Sequence, residues 1–314
     1  MKKEPINLTV NILTTYKAEF ILLCITIAWG LSFPLIKISL NSVSSGLFVF
    51  IRFFITLIAF MIIFRNKMDF RKFHLWKNGL ILGIFLFLGF SFQTVGLEFT
   101  SASKSGFITG TNLVILPFAQ YFILKIKPGG ENIIGALVVL IGLYILSEAF
   151  YIVPNTGDLL TLLCAMFFAV HIILLNKYTT SDNFLYMTFG QFFTMTVMSL
   201  IFIFVYDENF KGGAFIIFDS EIIITLLYTS FVSTLISILL VTKYQPMTTP
   251  LRAGIIYSME SIFAAVFAFL ILNEILNFNQ IIGAVIMFTG LFISEFYGML
   301  KLKFQNAVKS KNNS

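Results

Sequence analysis

Apolar runs of about 18–23 residues alternate with short polar connectors along the chain. At ~1.5 Å per residue, a helix of that length crosses ~30 Å of hydrocarbon. Ten such runs are predicted, at 18–40, 47–64, 76–97, 102–124, 132–150, 158–176, 184–205, 221–243, 250–272 and 279–300. A transmembrane barrel would instead show alternating strands of ~10 residues. The connections at 98–101 and 125–131 are short, so the helices they join run antiparallel. Composition agrees with an all-α integral membrane protein. The chain is 58% hydrophobic and 11% charged, against ~25% charged for a soluble domain. Its 39 Phe exceed what one soluble core would hide.

The net charge of +6 does not point to nucleic acid, because the cations gather in short loops. Sixteen of the 21 Lys and Arg fall in one set of connections and tails, while the opposite loops hold only Lys104 and Lys211. The excess of Lys and Arg predicts a multi-pass protein of the cell membrane with both termini cytoplasmic. The longest outer loop, Tyr206–Ser220, carries Asp207, Glu208 and Asp219. Met1–Lys17 lacks the pattern of a secretory signal. Cys24 and Cys164 lie inside apolar runs and read as small hydrophobes.

The stretch Thr249–Glu295 reads as two apolar helices with a turn near Asn273–Asn279, and it has an echo 148 positions earlier. Gly106 falls on Gly254, Lys104 on Arg252, Ile133-Ile134-Gly135-Ala136 on Ile281-Ile282-Gly283-Ala284, and Gly142-Leu143 on Gly290-Leu291. A second echo, at 140 positions, places Leu22-Leu23-Cys24 and Lys37 on Leu162-Leu163-Cys164 and Lys177. The copy starting at Lys104 enters the membrane from outside and the copy starting at Arg252 from inside. Five helices per half is an odd number, so the second half is expected to be inverted, a common construction in secondary transporters.

TPLRAGIIYSMESIFAAVFAFLILNE followed by QIIGAVIMFTGLFISE resembles the C-terminal signature of the EamA-type branch of the drug/metabolite transporter superfamily. Trp29-Gly30 with Lys37 resembles its first helix, and SASKSGFITGTNLVILPFAQYFIL with IIGALVVLIGLYIL the end of its first half. Gly157–Leu174 resembles the opening of its second half. The resemblance implies ten transmembrane helices as two inverted five-helix repeats, 18–150 and 157–300, around a central cavity, with a cytoplasmic basic tail at 301–314. It further implies transport of small organic solutes, often export of amino acids or other metabolites. Two departures stand out. Ser261 follows Glu260 where the family commonly has proline, and the family's acid at the end of helix nine, Glu274, has Ile126 as its first-half counterpart.

Glu260 lies about ten residues into its span, ~15 Å deep and close to the midplane, and its repeat mate is Asn112. An ionisable group at that depth is costly and marks function by default. The Glu260 carboxyl is expected to bind a proton or pair with an ammonium group, or else to join helices as a protonated glutamate. Helical spacing places Thr109 on the face of Asn112 and Tyr257, Ala264 and Ala268 on that of Glu260. Trp29 is too deep for an interfacial belt and is a candidate cavity residue. His171 reads as a relay, a substrate contact or a packing histidine, and Gln93 and Gln191 as polar groups facing protein or water. Gly106/Gly110 and Gly79/Gly83 read as helix-packing pairs. Lys104 and Arg252 are snorkelling anchors or gates at the two cavity mouths, and Lys37 and Arg52 read as anchors near the outer side.

The chain has no GxxxxGK[ST] loop, HExxH, paired CxxC or nucleophile elbow, so no metal and no cofactor is expected. The reading is a non-enzymatic secondary transporter with a small-molecule substrate, a surrounding lipid bilayer and a candidate coupling proton. The substrate-site candidates are Glu260, Asn112, Tyr257, Trp29, His171, Gln93 and Thr109. Efflux of cationic drugs is the alternative, with a passive channel behind it.

Overall fold

The computed structural model describes residues 12–125, 127–146, 155–290 and 292–293. Its helices are α1 (Ile12–Ser39), α2 (Ser45–Phe64), α3 (Phe73–Phe99), α4 (Ala102–Gly110), α5 (Asn112–Leu124), α6 (Gly130–Leu146), α7 (Thr156–Tyr178), α8 (Phe184–Phe210), α9 (Ser220–Met247), α10 (Pro250–Ser258), α11 (Glu260–Leu272) and α12 (Phe278–Gly290). No strand occurs among the described residues, only an isolated bridge between Val43 and Ile216. Eight runs are long and apolar enough to span a membrane: α1, α2, α3, α4 with α5, α7, α8, α9, and α10 with α11. The fifth and tenth predicted spans appear as the shorter apolar helices α6 and α12. Positions 147–150 and 294–300 of those spans lie outside the described residues, as do Ile126 and the tail 301–314.

The exterior is apolar and much of the interior is polar, the distribution that hydrocarbon demands. Phe20, Ile62, Phe122 and Leu270 are exposed, whereas Thr26, Thr56, Thr161, Gln191 and Thr229 are fully buried. Many buried hydroxyls are satisfied by carbonyls one turn back, as in Thr94 to Phe90, Thr194 to Gly190 and Thr229 to Thr225. An unpaired polar group away from water would cost several kcal/mol.

Two of the spans are broken, and they break alike. Ser101 Oγ caps the Lys104 N–H at 3.2 Å, and Thr249 Oγ caps the Arg252 N–H at 3.3 Å. A nine-residue helix follows each cap, then a single residue outside the helix, Thr111 or Met259, then a thirteen-residue helix. The breaks are tightened turns, with the Thr111 N–H on Ile108 O and the Met259 N–H on Ile256 O. Both second helices end on a left-handed residue, Lys125 at φ 60° and Asn273 at φ 53°. All these positions stand 148 apart, so the sequence echo is an echo of backbone.

The two broken helices cross antiparallel, α4 lying along α11 and α5 along α10. A Cβ added at Gly106 would meet the Ala264 side chain at 2.5 Å, and one at Gly254 would meet Leu113 at 3.0 Å and Leu116 at 3.7 Å. Leu116 is the repeat mate of Ala264, and Leu113 that of Ser261, so the contacts exchange partners as a pseudo-two-fold requires. Ser261, where proline is common in the family, donates to Gly106 O at 2.8 Å and so ties α11 to α4. The glycines of α6 and α12 are shared in the same way. A Cβ at Gly142 would sit 2.8 Å from Gly283 O, and one at Gly290 would sit 2.8 Å from Gly135 O. Gly79 and Gly83 face the Met187, Gly190 and Gln191 backbone of α8, the packing role expected of them.

The α6/α12 contact is testable. Gly142→Ala would put its Cβ 2.6 Å from the Met287 backbone nitrogen, where no side chain can yield. A destabilisation of about 1–3 kcal/mol is expected, read as a lower melting temperature in detergent. Gly130→Ala, whose Cβ meets nothing within 4 Å, is the control and should not lower it.

Candidate functional site

A chamber sits where the broken helices cross. Trp29 and Ser32 of α1, Arg52 of α2, Leu86, Phe90 and Gln93 of α3 and Asn112 of α5 line one part of it. Phe168, His171 and Ile172 of α7, Ser233, Ile238, Val241 and Gln245 of α9, Tyr257 of α10 and Glu260 of α11 line the rest. Water centres can occupy about 50 Å³ of it, room for a few molecules. Asn112 and Glu260 are each the first residue after a break, so the tightened turns place both polar groups at the crossing.

Most polar groups on the chamber are held by protein. Tyr257 donates to Gln245 Oε1 at 3.0 Å, and Gln245 donates to Ile172 O at 2.9 Å and to Asn176 Oδ1. Trp29 Nε1 donates to Ser233 O at 3.0 Å, and its ring lies 5.4 Å from that of Tyr257. Gln191 turns its amide nitrogen to Met187 O and Thr242 Oγ1, which leaves its carbonyl to accept from His171 Nε2 at 2.9 Å. Gln93 donates to Thr109 Oγ1 at 3.3 Å. Three groups differ. Glu260, 9% exposed, has no hydrogen-bond or ion-pair partner among the described residues, and Asn112 Oδ1 is buried without a donor. Arg52 has only hydroxyl and ring partners.

Of the seven sequence-predicted site residues, Glu260, Asn112, Tyr257, Trp29, His171 and Gln93 are brought together on this chamber. Thr109 stands behind Gln93 as its hydrogen-bond partner. Ala264 and Ala268, on the face of Glu260, are buried against neighbouring helices. The anchor reading of Arg52 is corrected. The side chain is 2% exposed, with Nε on Thr234 Oγ1 at 2.7 Å, Nη2 on Ser233 Oγ at 3.2 Å, and its guanidinium 4.6 Å from the Phe90 ring centre. Arg52 lies close enough to its helix end for snorkelling to be a sensible expectation. The π-helical stretch Tyr228–Ile236 of α9 turns hydroxyls inward instead, and the guanidinium follows them. The signal was present, a charge inside an apolar run, the same signal that singled out Glu260. Lys37 is not an outward anchor either, for its Nζ closes the end of α3 on Leu97 O at 2.6 Å and Thr100 O at 2.8 Å.

The two ends of the crossing are held differently. Glu274 accepts from the Ala102 and Ser103 N–H groups at 2.9 and 3.0 Å and so caps α4. Asp207, fully buried, accepts from the Gly46 and Leu47 N–H groups at 2.9 and 2.8 Å and from Ser44 Oγ at 2.7 Å, capping α2. Glu98 joins Ser45, Tyr206 and Lys211 at the same end. Lys104 starts α4 there, half-buried. At the other end Glu19 of α1 meets the exposed Arg252 of α10 at 3.4 Å and Thr248 Oγ1 at 3.1 Å. A wider apolar groove of about 590 Å³ between α3, α7 and α8 holds none of the predicted site residues.

With this geometry in view, comparison with known proteins decides the family. The EamA-like transporter family profile matches residues 16–148 and again 155–296. The chain belongs to the EamA-like transporter family. An uncharacterized transporter of Archaeoglobus fulgidus is 33% identical over 276 residues, covering 88% of this chain and 85% of that one. The uncharacterized transporter YoaV of Bacillus subtilis is 22% identical over 283 residues, covering 88% and 95%. A crystal structure with TM-score 0.64 and 12% identity covers 90% of this chain and 98% of its own, and shares the fold. As an EamA protein the chain is a multi-pass membrane transporter of the drug/metabolite transporter superfamily, surrounded by a bilayer and acting on a small molecule.

The unequal ends of this EamA transporter carry a prediction. Asp207→Ala strands the N–H groups of the buried Gly46 and half-buried Leu47 and should cost about 1–3 kcal/mol, whereas Arg252→Ala removes an exposed ion pair worth under about 1 kcal/mol. Thermal unfolding of the two variants in detergent should show the larger loss for Asp207→Ala.

Proposed function

We propose that this EamA protein is a secondary transporter, working as an exporter of small organic solutes such as amino acids or related metabolites. Its halves, 18–150 and 157–300, would form an inverted pair of five-helix repeats that rock about the chamber in alternating access. One observation carries the reading. Two polar residues 148 positions apart, Asn112 and Glu260, each follow a helix break and face one chamber, with no partner among the described residues for the Glu260 carboxyl or for Asn112 Oδ1. Evolutionarily costly buried groups of that kind are what a solute or a coupling proton would satisfy. In this reading Tyr257, Trp29, His171 and Gln93 line the solute site and Thr109 orients Gln93. Lys104 and Arg252 stand at the two mouths as gates. The loop cations support a cell-membrane orientation with both termini cytoplasmic.

The aromatic walls, Trp29, Phe90, Phe168 and Tyr257 beside one carboxyl, favour a second reading, efflux of organic cations. Counterflow in proteoliposomes against a panel of amino acids and cationic drugs, with and without a pH gradient, separates the two. Saturable exchange of one class supports a transporter, and non-saturating flux without exchange marks a channel.

Glu260→Gln is expected to insert and stay monodisperse while losing exchange or changing its pH profile. The other titratable side chains on the chamber are Arg52, His171 and Tyr257. Wild-type exchange at every pH would remove Glu260 from the mechanism.

A further inference from the structure

The groove between α3, α7 and α8 has no part in the transport reading, and it shares no lining residue with the chamber. Its walls include Phe87, Leu88, Phe92 and Val95 of α3, Leu160 of α7 and Phe202 of α8, side chains that offer no hydrogen bond. Ser91 also lines it, 4% exposed, with its Oγ unpartnered among the described residues. The space of about 590 Å³ falls within the ~300–1,000 Å³ typical of ligand clefts. All three helices are long and apolar enough to span a membrane, so the bilayer supplies what fills the groove. Phe87 and Phe99 stand twelve residues apart along α3. That is ~18 Å of helix, about the ~15 Å depth of hydrocarbon in one leaflet.

One end of the groove is polar. Phe99 closes α3, Thr156 opens α7 and Phe210 closes α8, so the groove reaches the end of the bundle where Lys211 stands. A lysine ammonium carries three N–H donors. Glu98 is the ion-pair partner of Lys211 among the described residues, and the Phe99 ring centre lies 5.8 Å from its Nζ. One carboxylate leaves donors to spare. Asp207 is turned instead to the start of α2, and Asp158, the acid in the first turn of α7, to Thr100 Oγ1. The exposed Thr156 begins a 23-residue helix, whose N-terminus favours an anion.

We propose that this groove is a phospholipid site. An acyl chain lies along α3 between α7 and α8, and the lipid phosphate is held by Lys211 beside the first turn of α7. Charge and length both agree with that occupant. The phosphate is an anion at the end that carries the spare ammonium donors, and the chain matches the apolar walls below it. A free phosphate would leave those walls empty, and a hydrocarbon without a phosphate would leave the donors of Lys211 unused.

Native mass spectrometry of the delipidated, full-length protein tests this. The probes are dioleoyl phosphatidylglycerol, dioleoylglycerol and glycerol 3-phosphate. One copy of the phospholipid should bind tightly per chain, and the other two probes at least about tenfold more weakly, as expected when either the charge-assisted contact or the apolar burial is lost. Lys211→Gln should bring the phospholipid down to the level of dioleoylglycerol and leave dioleoylglycerol unchanged. Glu98→Gln breaks the ion pair but keeps the ammonium, so it should not weaken the phospholipid, whereas a merely structural Lys211–Glu98 pair would make the two variants alike. Leu88→Trp fills the groove and should weaken phospholipid and dioleoylglycerol together. Ser91→Leu fills it from a second position without removing a hydrogen bond and should do the same. The wild-type comparison of the three probes stands whether or not a variant folds. Phospholipid binding that neither filling variant weakens marks lipid held all round the protein and overturns the site. Phospholipid binding that survives Lys211→Gln overturns the phosphate contact, and glycerol 3-phosphate that binds as tightly as the phospholipid overturns the role of the chain. A dimer that Leu88→Trp dissociates gives the groove to a second copy of the protein and overturns the proposal.

Discussion

The antiparallel crossing of two broken helices decides where the rest of the protein sits. It depends on close approach. Gly106 admits Ala264, Gly254 admits Leu113, and Ser261 reaches across to Gly106 O. Lipid tails are as apolar as leucine, so helices in a bilayer gain little from hydrophobic burial against each other and must associate through contact and hydrogen bonds. Small residues at the crossing supply both. The residues that follow the breaks at Thr111 and Met259, Asn112 and Glu260, both line the chamber.

Around that crossing most buried polar groups are paired, with Ser91, Thr179 and Ser230 hydroxyls and Asp158 Oδ2 among the exceptions. Ser and Thr hydroxyls return to carbonyls of their own helix, Gln191 is used by His171 and Thr242, and Gln245 by Tyr257. What sets apart the acid, the guanidinium and the amide oxygen of Glu260, Arg52 and Asn112 is that all three face a common chamber and lack a charged or donor partner among the described residues. A folded chain with no ligand gains nothing from that arrangement, since each bears its desolvation cost. The π-helical stretch of α9 belongs to the same account, for it brings Ser233 and Thr234 to Arg52 at the chamber wall.

The two broken spans, alike in their caps and breaks, differ at one end. Glu274 caps α4 through two N–H groups, whereas Ile126 stands at the equivalent sequence position of the first half. One end is therefore tied by carboxylates on helix N-termini, the half-buried Glu274 and the fully buried Asp207, where such charges are stabilised. The other end rests on the exposed Glu19–Arg252 pair, which water and salt weaken.

The period of the apolar runs was enough to read the membrane class, eight of the ten predicted spans and the 148-position echo from the chain, because hydrocarbon imposes length and apolarity on each helix locally. Glu260 and Asn112 were legible for the same reason, as polar groups at mid-span in equivalent positions. The helix breaks were not, since Thr111 and Met259 carry no breaker residue, and only the crossing with another helix makes a tightened turn tolerable. Arg52 was legible as a charge but not as a site. Whether a long cation near a helix end turns to water or inward depends on the hydroxyls of a helix some 180 residues away in sequence. Composition and pattern determined that this chain spans a membrane and that Glu260 and Arg52 are charges inside apolar runs. The tertiary structure decided which polar groups share a chamber, because that is set by contacts between helices far apart along the chain.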